Sequence, residues 1–91
     1  MARTKLLVVD DSDISRRELR RLAIAEGLRT FDLVEAASGE EGLRIFERET
    51  SVGYALVDVH LPGISGFKML EMMRAVAPKK FQEMQVFMMC S

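Results

Sequence analysis

Cysteine is almost missing from this sequence: Cys90 is the only one in 91 residues, so no disulfide can form within the chain. That usage fits a reducing, cytoplasmic setting. Neither sign of charge is in excess, because 13 Lys and Arg against 14 Asp and Glu give a formal net charge of −1. With no basic surplus to neutralise phosphates, direct binding of nucleic acid through charge is not expected. Long apolar runs are missing too. After Arg3 and Lys5 the apolar stretch lasts four residues, Leu6 to Val9, too short for a signal peptide or a membrane span. His60 is the only histidine, so a soft metal cluster of Cys and His has too few ligands. There is no internal repeat and no low-complexity segment, and the glycines lack the spacing of a dinucleotide site.

The remaining composition is that of an ordinary globular chain, 48% hydrophobic and 30% charged, and its length suits one domain. A domain this small buries only about 60–65% of its unfolded surface, so its stability margin is thin.

One stretch organises the rest: Tyr54-Ala55-Leu56-Val57-Asp58-Val59-His60-Leu61-Pro62-Gly63-Ile64-Ser65-Gly66. An apolar run ends in a carboxylate, a Pro-Gly turn follows, and an amphipathic run begins. This reads as a buried strand that delivers Asp58 to a loop feeding a helix. Lys5-Leu6-Leu7-Val8-Val9 runs into Asp10-Asp11 in the same way. If the two strands lie parallel and adjacent, three carboxylates meet at one sheet edge.

Taken in order, Leu6–Val9 shows no alternation, as suits a strand buried on both faces. A helix follows Asp10-Asp11-Ser12-Asp13. Ile14, Leu19, Leu22, Ile24 and Ala25 are expected on its apolar side and Arg16, Arg17, Arg20 and Arg21 on a solvated one, with Gly27 as its stop. Phe31–Glu35 reads as a short edge strand. Ser38 caps a second helix from about Gly39 to Arg48, with Glu40 and Glu41 in its first turn. Leu43 and Phe46 are its expected core contacts, and Gly42 allows close approach.

Thr50-Ser51-Val52-Gly53 is expected to connect to a third strand, Tyr54–Val57. A third helix starts near Gly66 with two stripes, Phe67, Leu70, Met73 and Ala77, and Met69, Met72 and Val76. Pro78 ends it, Pro78-Lys79-Lys80 reads as a surface connection, and Gln85–Met89 as a fourth strand. The methionines from Met69 to Met89 read as core fillers, Cys90 as a small buried residue and His60 as an exposed loop side chain. The β-α-β-α-β-α-β alternation favours an α/β fold with a parallel sheet and helices on both faces. Reactive groups in such sheets gather beyond the strands' carboxyl ends, where strand order reverses. Asp10, Asp11 and Asp58 all stand at such ends.

Three carboxylates brought together repel one another unless a cation shares their site. A hard divalent metal with oxygen ligands, Mg²⁺ above all, is the natural solution, since it keeps several waters and needs few protein ligands. Asp11 and Asp58 with a backbone carbonyl from the following loop would suffice. An ionised Asp beside Mg²⁺ can attack phosphorus and form an aspartyl phosphate, with the metal offsetting charge on the phosphoryl oxygens.

These residues match a known pattern. Leu6-Leu7-Val8-Val9-Asp10-Asp11-Ser12 with Arg16 and Leu19, Glu35-Ala36-Ala37-Ser38-Gly39-Glu40-Glu41-Gly42-Leu43, and Asp58-Val59-His60-Leu61-Pro62-Gly63-Ile64-Ser65-Gly66 occur in this order. In them the chain resembles the receiver domain of two-component response regulators, the family that includes the chemotaxis protein CheY. The resemblance implies one receiver domain over residues 1–91, a doubly wound, flavodoxin-like parallel sheet with strand order 2-1-3-4. It implies that Asp58 accepts a phosphoryl group from a histidine kinase or phosphotransfer protein. It implies a Mg²⁺ site of Asp10, Asp11, Asp58 and the backbone carbonyl of His60. Such a domain is a signalling phosphoacceptor that assists its own phosphorylation and dephosphorylation rather than turning over a separate substrate. Part of the Arg16–Arg21 face would meet the kinase.

The sequence departs from the family in two places. Where the family carries a Ser or Thr that moves onto the phosphoryl group, this chain has Cys90, or Ser91 on a one-residue shift. A thiol is a poor hydrogen-bond donor, so a switch through Cys90 would be soft. The family's fourth helix, its fifth strand with a Lys, and its fifth helix are absent, so a C-terminally incomplete domain is expected. The open sheet edge then invites self-association. A phosphorylation-independent interaction module is the alternative reading. A hydrolytic phosphatase using Asp11 and Asp13 is a third, and it leaves the Asp58 loop unexplained.

Overall fold

The computed structural model describes residues 4–27, 29 and 32–90. Strand β1, Lys5–Val9, lies between β2, Leu33–Ala36, and β3, Val52–Asp58. Strand β4, Gln85–Met89, pairs with the far side of β3, which gives the parallel order β2-β1-β3-β4. This is the expected sheet, with the two centrally placed strands carrying the two acidic ends.

The registers decide which side chains share a face. Leu7 pairs with Val34 and Ala55, Val9 pairs with Ala36 and Val57, and Ala55 pairs with Val86. Because side chains alternate along a strand, these residues look the same way. Helix α2, Gly39–Arg48, and helix α3, Gly66–Val76, cover them. Phe46, Leu7, Met69, Met73, Val9 and Val57 are fully buried there. Gly42 permits the contact between the helices, since a Cβ on it would stand 2.7 Å from Met69 Sδ and 3.1 Å from Val9 Cγ2.

Each of the three long helices starts at a serine. Ser12, Ser38 and Ser65 accept from the backbone N–H of Ser15, Glu41 and Lys68 at 3.2, 3.1 and 3.1 Å. Each side chain thereby satisfies an N–H that the first helical turn leaves unpaired. Helix α1, Asp13–Ala25, ends just before Gly27, and α2 has the bounds read from the sequence.

Several elements differ from expectation. Helix α1 buries no residue, and Ile14 and Leu22 are 72% and 63% exposed. It lies over the opposite face of the sheet, where Val8 is buried and its register neighbour Glu35 pairs with Arg16 and Arg20. Arg16 is accordingly not on a solvated face: its side chain is 14% exposed and turned towards Glu35. Strand β3 starts at Val52 rather than Tyr54, because Val52 pairs with Lys5 and is buried. Strand β2 runs from Leu33 to Ala36, and Phe31 lies outside the described residues.

The stretch after α3 is not a plain connection but a short helix, α4, Pro78–Gln82. Proline's fixed φ and missing N–H suit the first helical position. The buried side of α3 takes Met69 from one expected stripe and Met73 from the other, while Phe67 and Val76 are exposed. Ile45 joins Phe46 in the core, and Leu43 is only partly buried against it. Among the described residues no helix is long and apolar enough to cross a membrane.

Candidate metal centre

The pairing of Val9 with Val57 places the next residue of each strand, Asp10 and Asp58, side by side at the sheet's carboxyl edge. Asp10 is 5% and Asp58 3% exposed, while Asp11 is exposed. Each of the three offers one carboxylate oxygen, and these oxygens all lie within 4.8 Å of one another.

Local hydrogen bonds hold this arrangement. The Asp10 N–H donates to the Ala36 carbonyl at 3.0 Å, which ties the loop to β2. Asp10 Oδ1 accepts from the Ser12 N–H at 2.9 Å. The Asp10 carbonyl accepts from Arg16 Nη1 at 2.5 Å. Asp58 Oδ1 accepts from the His60 N–H at 2.9 Å, and the Val59 N–H donates to the Met89 carbonyl at 2.9 Å. A Cβ on Gly66 would stand 2.5 Å from the Asp58 carbonyl oxygen, so only glycine lets α3 begin so close to the carboxylate loop.

A cleft of about 330 Å³ opens at the carboxylates, and its lining includes Asp10, Asp58, Ile14, Leu19, Met89 and Cys90. Cys90 is exposed, against the expectation of a buried residue. It follows the last residue of β4, beyond the paired part of the sheet. Ser91 lies outside the described residues. His60 is exposed as expected. Asp13 is not in the carboxylate cluster; its side chain is 83% exposed and pairs with Arg16. The phosphatase reading therefore lacks its second aspartate at the site.

The sequence reading passed over the polar frame behind the cluster. Arg20 binds both oxygens of Glu35, at 2.7 and 3.0 Å, and Arg16 Nε lies 3.3 Å from Glu35 Oε1. The hydrogen bonds from Arg20 hold the Glu35 carboxyl below its ordinary range. Partial burial opposes them, and the charges of Arg20 and Arg16 add to them. The available signal was a glutamate inside a strand, opposite a helix with two arginines four residues apart.

The donor set consists of hard carboxylate oxygens, two buried and one facing solvent. That suits a small divalent cation which keeps some of its water.

A family model described as "Response regulator receiver domain" matches residues 6–91. Among curated proteins, the chain is 31% identical to a chemotaxis protein CheY homolog of Campylobacter jejuni, over 92% of this chain and 62% of that protein. It is 36% identical to a cyclic di-GMP phosphodiesterase of Thermotoga maritima, over 80% of this chain and 18% of that protein. It therefore spans less than two thirds of either relative. Among solved structures, response regulator protein TrrA from Thermotoga maritima in complex with Mg²⁺–BeF superposes with a TM-score of 0.80. That structure is 25% identical, and the match covers 97% of this chain and 70% of that one. Sheet order, the sequence match and the placement of the acidic residues agree, and the chain belongs to the response regulator receiver domain family.

Proposed function

We propose that this domain accepts a phosphoryl group on Asp58 from a histidine kinase or phosphotransfer protein and signals by a shift between conformations. The observation that carries this reading is the convergence of Asp10, Asp11 and Asp58 within 4.8 Å at the carboxyl edge. In the transfer, an Asp58 carboxylate oxygen attacks the phosphorus of a phosphohistidine. The new P–O bond forms as the P–N bond breaks, and the released imidazole leaves with the electron pair of that bond and takes up a proton.

Asp10, Asp11, Asp58 and the backbone carbonyl of His60 would hold Mg²⁺. The metal supplies charge neutralisation for the phosphoryl oxygens. The Mg²⁺–BeF complex of the Thermotoga maritima regulator supports that choice of ion. Cys90 lines the cleft beside Asp58, which supports reading it, or Ser91 on a one-residue shift, as the switch residue. The domain is a signalling acceptor, and water consumes its aspartyl phosphate in time.

Incubation of the chain with Mg²⁺ and a small phosphodonor is expected to add one phosphoryl mass, and Asp58→Asn to abolish the addition. An unmodified chain, or addition that survives Asp58→Asn, refutes the reading.

A second reading, association independent of phosphorylation, is favoured by one feature. Strand β4 pairs on one side only among the described residues, and Phe87 on it is 51% exposed. Sedimentation with and without Mg²⁺ and phosphodonor separates the two. Tight association unaffected by either addition supports the second reading, and a monomer that responds to both supports the first.

A further inference from the structure

The carboxylate cluster forms only if the side chains of Asp10 and Asp11 are turned towards Asp58. Helix α1 has no fully buried residue, and the contacts seen to pin the loop that enters it are polar. The Asp10 N–H is bonded to Ala36, its carboxylate to the Ser12 N–H and its carbonyl to Arg16.

The third contact has the greatest geometric leverage. The Asp10 carbonyl belongs to the peptide plane that joins Asp10 to Asp11. A planar peptide turns as one unit. A bond to this carbonyl restrains ψ of Asp10 and so the course of the chain from Asp10 to Asp11 and Ser12, on which the placing of both carboxylates depends. Arg16 Nη1 grips this carbonyl at 2.5 Å. The same guanidinium bonds the Asp13 carboxylate and lies 3.3 Å from Glu35 Oε1, and Glu35 is in turn clamped by Arg20. One planar, multidentate cation therefore connects the loop, the first turn of α1 and strand β2. A flexible ammonium offers no such fork.

We infer that Arg16 is a positioning residue for the cation site, held by Glu35 and Arg20, that orients the Asp10–Asp11 peptide so both carboxylates face Asp58. This inference rests on the reading of Asp10, Asp11 and Asp58 as a Mg²⁺ site. Its sign runs against simple electrostatics. Arg16 carries positive charge next to a site for a divalent cation, so on Coulomb's law alone its removal tightens Mg²⁺ binding. Loss of positioning weakens it instead. Partners that orient metal ligands from outside the coordination shell commonly affect affinity by about tenfold or more.

The test is calorimetric titration of Mg²⁺ into the 91-residue chain and into Arg16→Ala, Arg16→Lys, Glu35→Gln and Asp11→Asn, each checked for folding by circular dichroism. The expected result is about tenfold weaker binding in Arg16→Ala. Arg16→Lys keeps the charge without the fork and is expected to be weakened nearly as much. Glu35→Gln is expected to weaken binding too, but loss of a negative charge does so on Coulomb's law alone; Arg16→Lys, which leaves the charge unchanged, decides the matter should Arg16→Ala not fold. Mg²⁺ binding in Arg16→Ala or in Arg16→Lys as tight as in the unaltered chain, or tighter, with binding lost in Asp11→Asn, overturns the role of Arg16 and leaves the metal site standing. No Mg²⁺ binding in the unaltered chain overturns both.

Discussion

Asp10 and Asp58 are held in the same way: in each, Oδ1 accepts from the backbone N–H two residues further on, Ser12 and His60, both at 2.9 Å. Each carboxylate thus closes its own turn at the end of its own strand, as aspartate readily does. Since the strands are adjacent and in register at Val9 and Val57, two local turns become one acidic site.

Cation binding should be visible as stability. Mg²⁺ at tenfold excess over its Kd adds about 1.4 kcal/mol if it binds only the folded state. For a domain of this size that raises Tm by roughly 6–11 °C. Asp11→Asn removes one of three mutually repelling carboxylates, so Tm without metal should hold or rise and the rise with Mg²⁺ should be abolished. Thermal melts with and without Mg²⁺ check this, and an equal rise in both proteins counts against the site.

Gly66→Ala should destabilise the chain by about 1–3 kcal/mol, the usual range for overpacking. The added methyl would meet the Asp58 carbonyl oxygen at 2.5 Å and Val57 Cγ1 at 3.0 Å. The nearer obstacle is backbone, which cannot swing aside as a side chain would. Urea unfolding measures the loss, and an unchanged midpoint would falsify the assigned close approach.

Glu35 ties part of the stability to pH. Its folded carboxyl binds protons less readily than in the unfolded chain, chiefly through its hydrogen bonds with Arg20. The stabilisation is therefore complete above the ordinary glutamate value of about 4.3 and disappears as pH falls through the lower folded value. Because Arg20 is exposed, solvent screens the pair and the contribution is small. Urea midpoints between about pH 6 and pH 3 should fall less steeply for Glu35→Gln than for the unaltered chain. Parallel curves would show that the pair adds nothing.

Cys90 gives a chemical readout of the cleft. The thiol is exposed and shares the cleft with Asp58, so a thiol reagent should label the native chain without denaturant. If Cys90 stands at the switch position, Mg²⁺ with a phosphodonor should slow that labelling, and Asp58→Asn should remove the slowing. An identical rate under all conditions would place Cys90 outside the switch.

Much of this was legible in the residues, for identifiable reasons. Apolar runs that end in Asp10-Asp11 and Asp58 announce strand ends, and Ser38 with Glu40 and Glu41 announces a helix start, because these are local signals of a few residues. Helix α1 was misread because its apolar residues are spaced as if for burial, yet Ile14 and Leu22 are exposed. Spacing shows that a side chain can face a core, not whether other elements cover that side. Arg16 was misread for the complementary reason, since its partners come from its own loop and from Glu35, 19 positions along the chain.

Strand identity, helix caps and the placing of carboxylates at strand ends followed from the order of the residues, because these properties depend on near neighbours. The convergence of Asp10 with Asp58 and the grip of Arg16 on the Asp10 carbonyl were decided only by the tertiary structure. Each joins segments through strand register or helix docking, and the geometry is set by how β2, β1 and β3 align rather than by any one segment's preference.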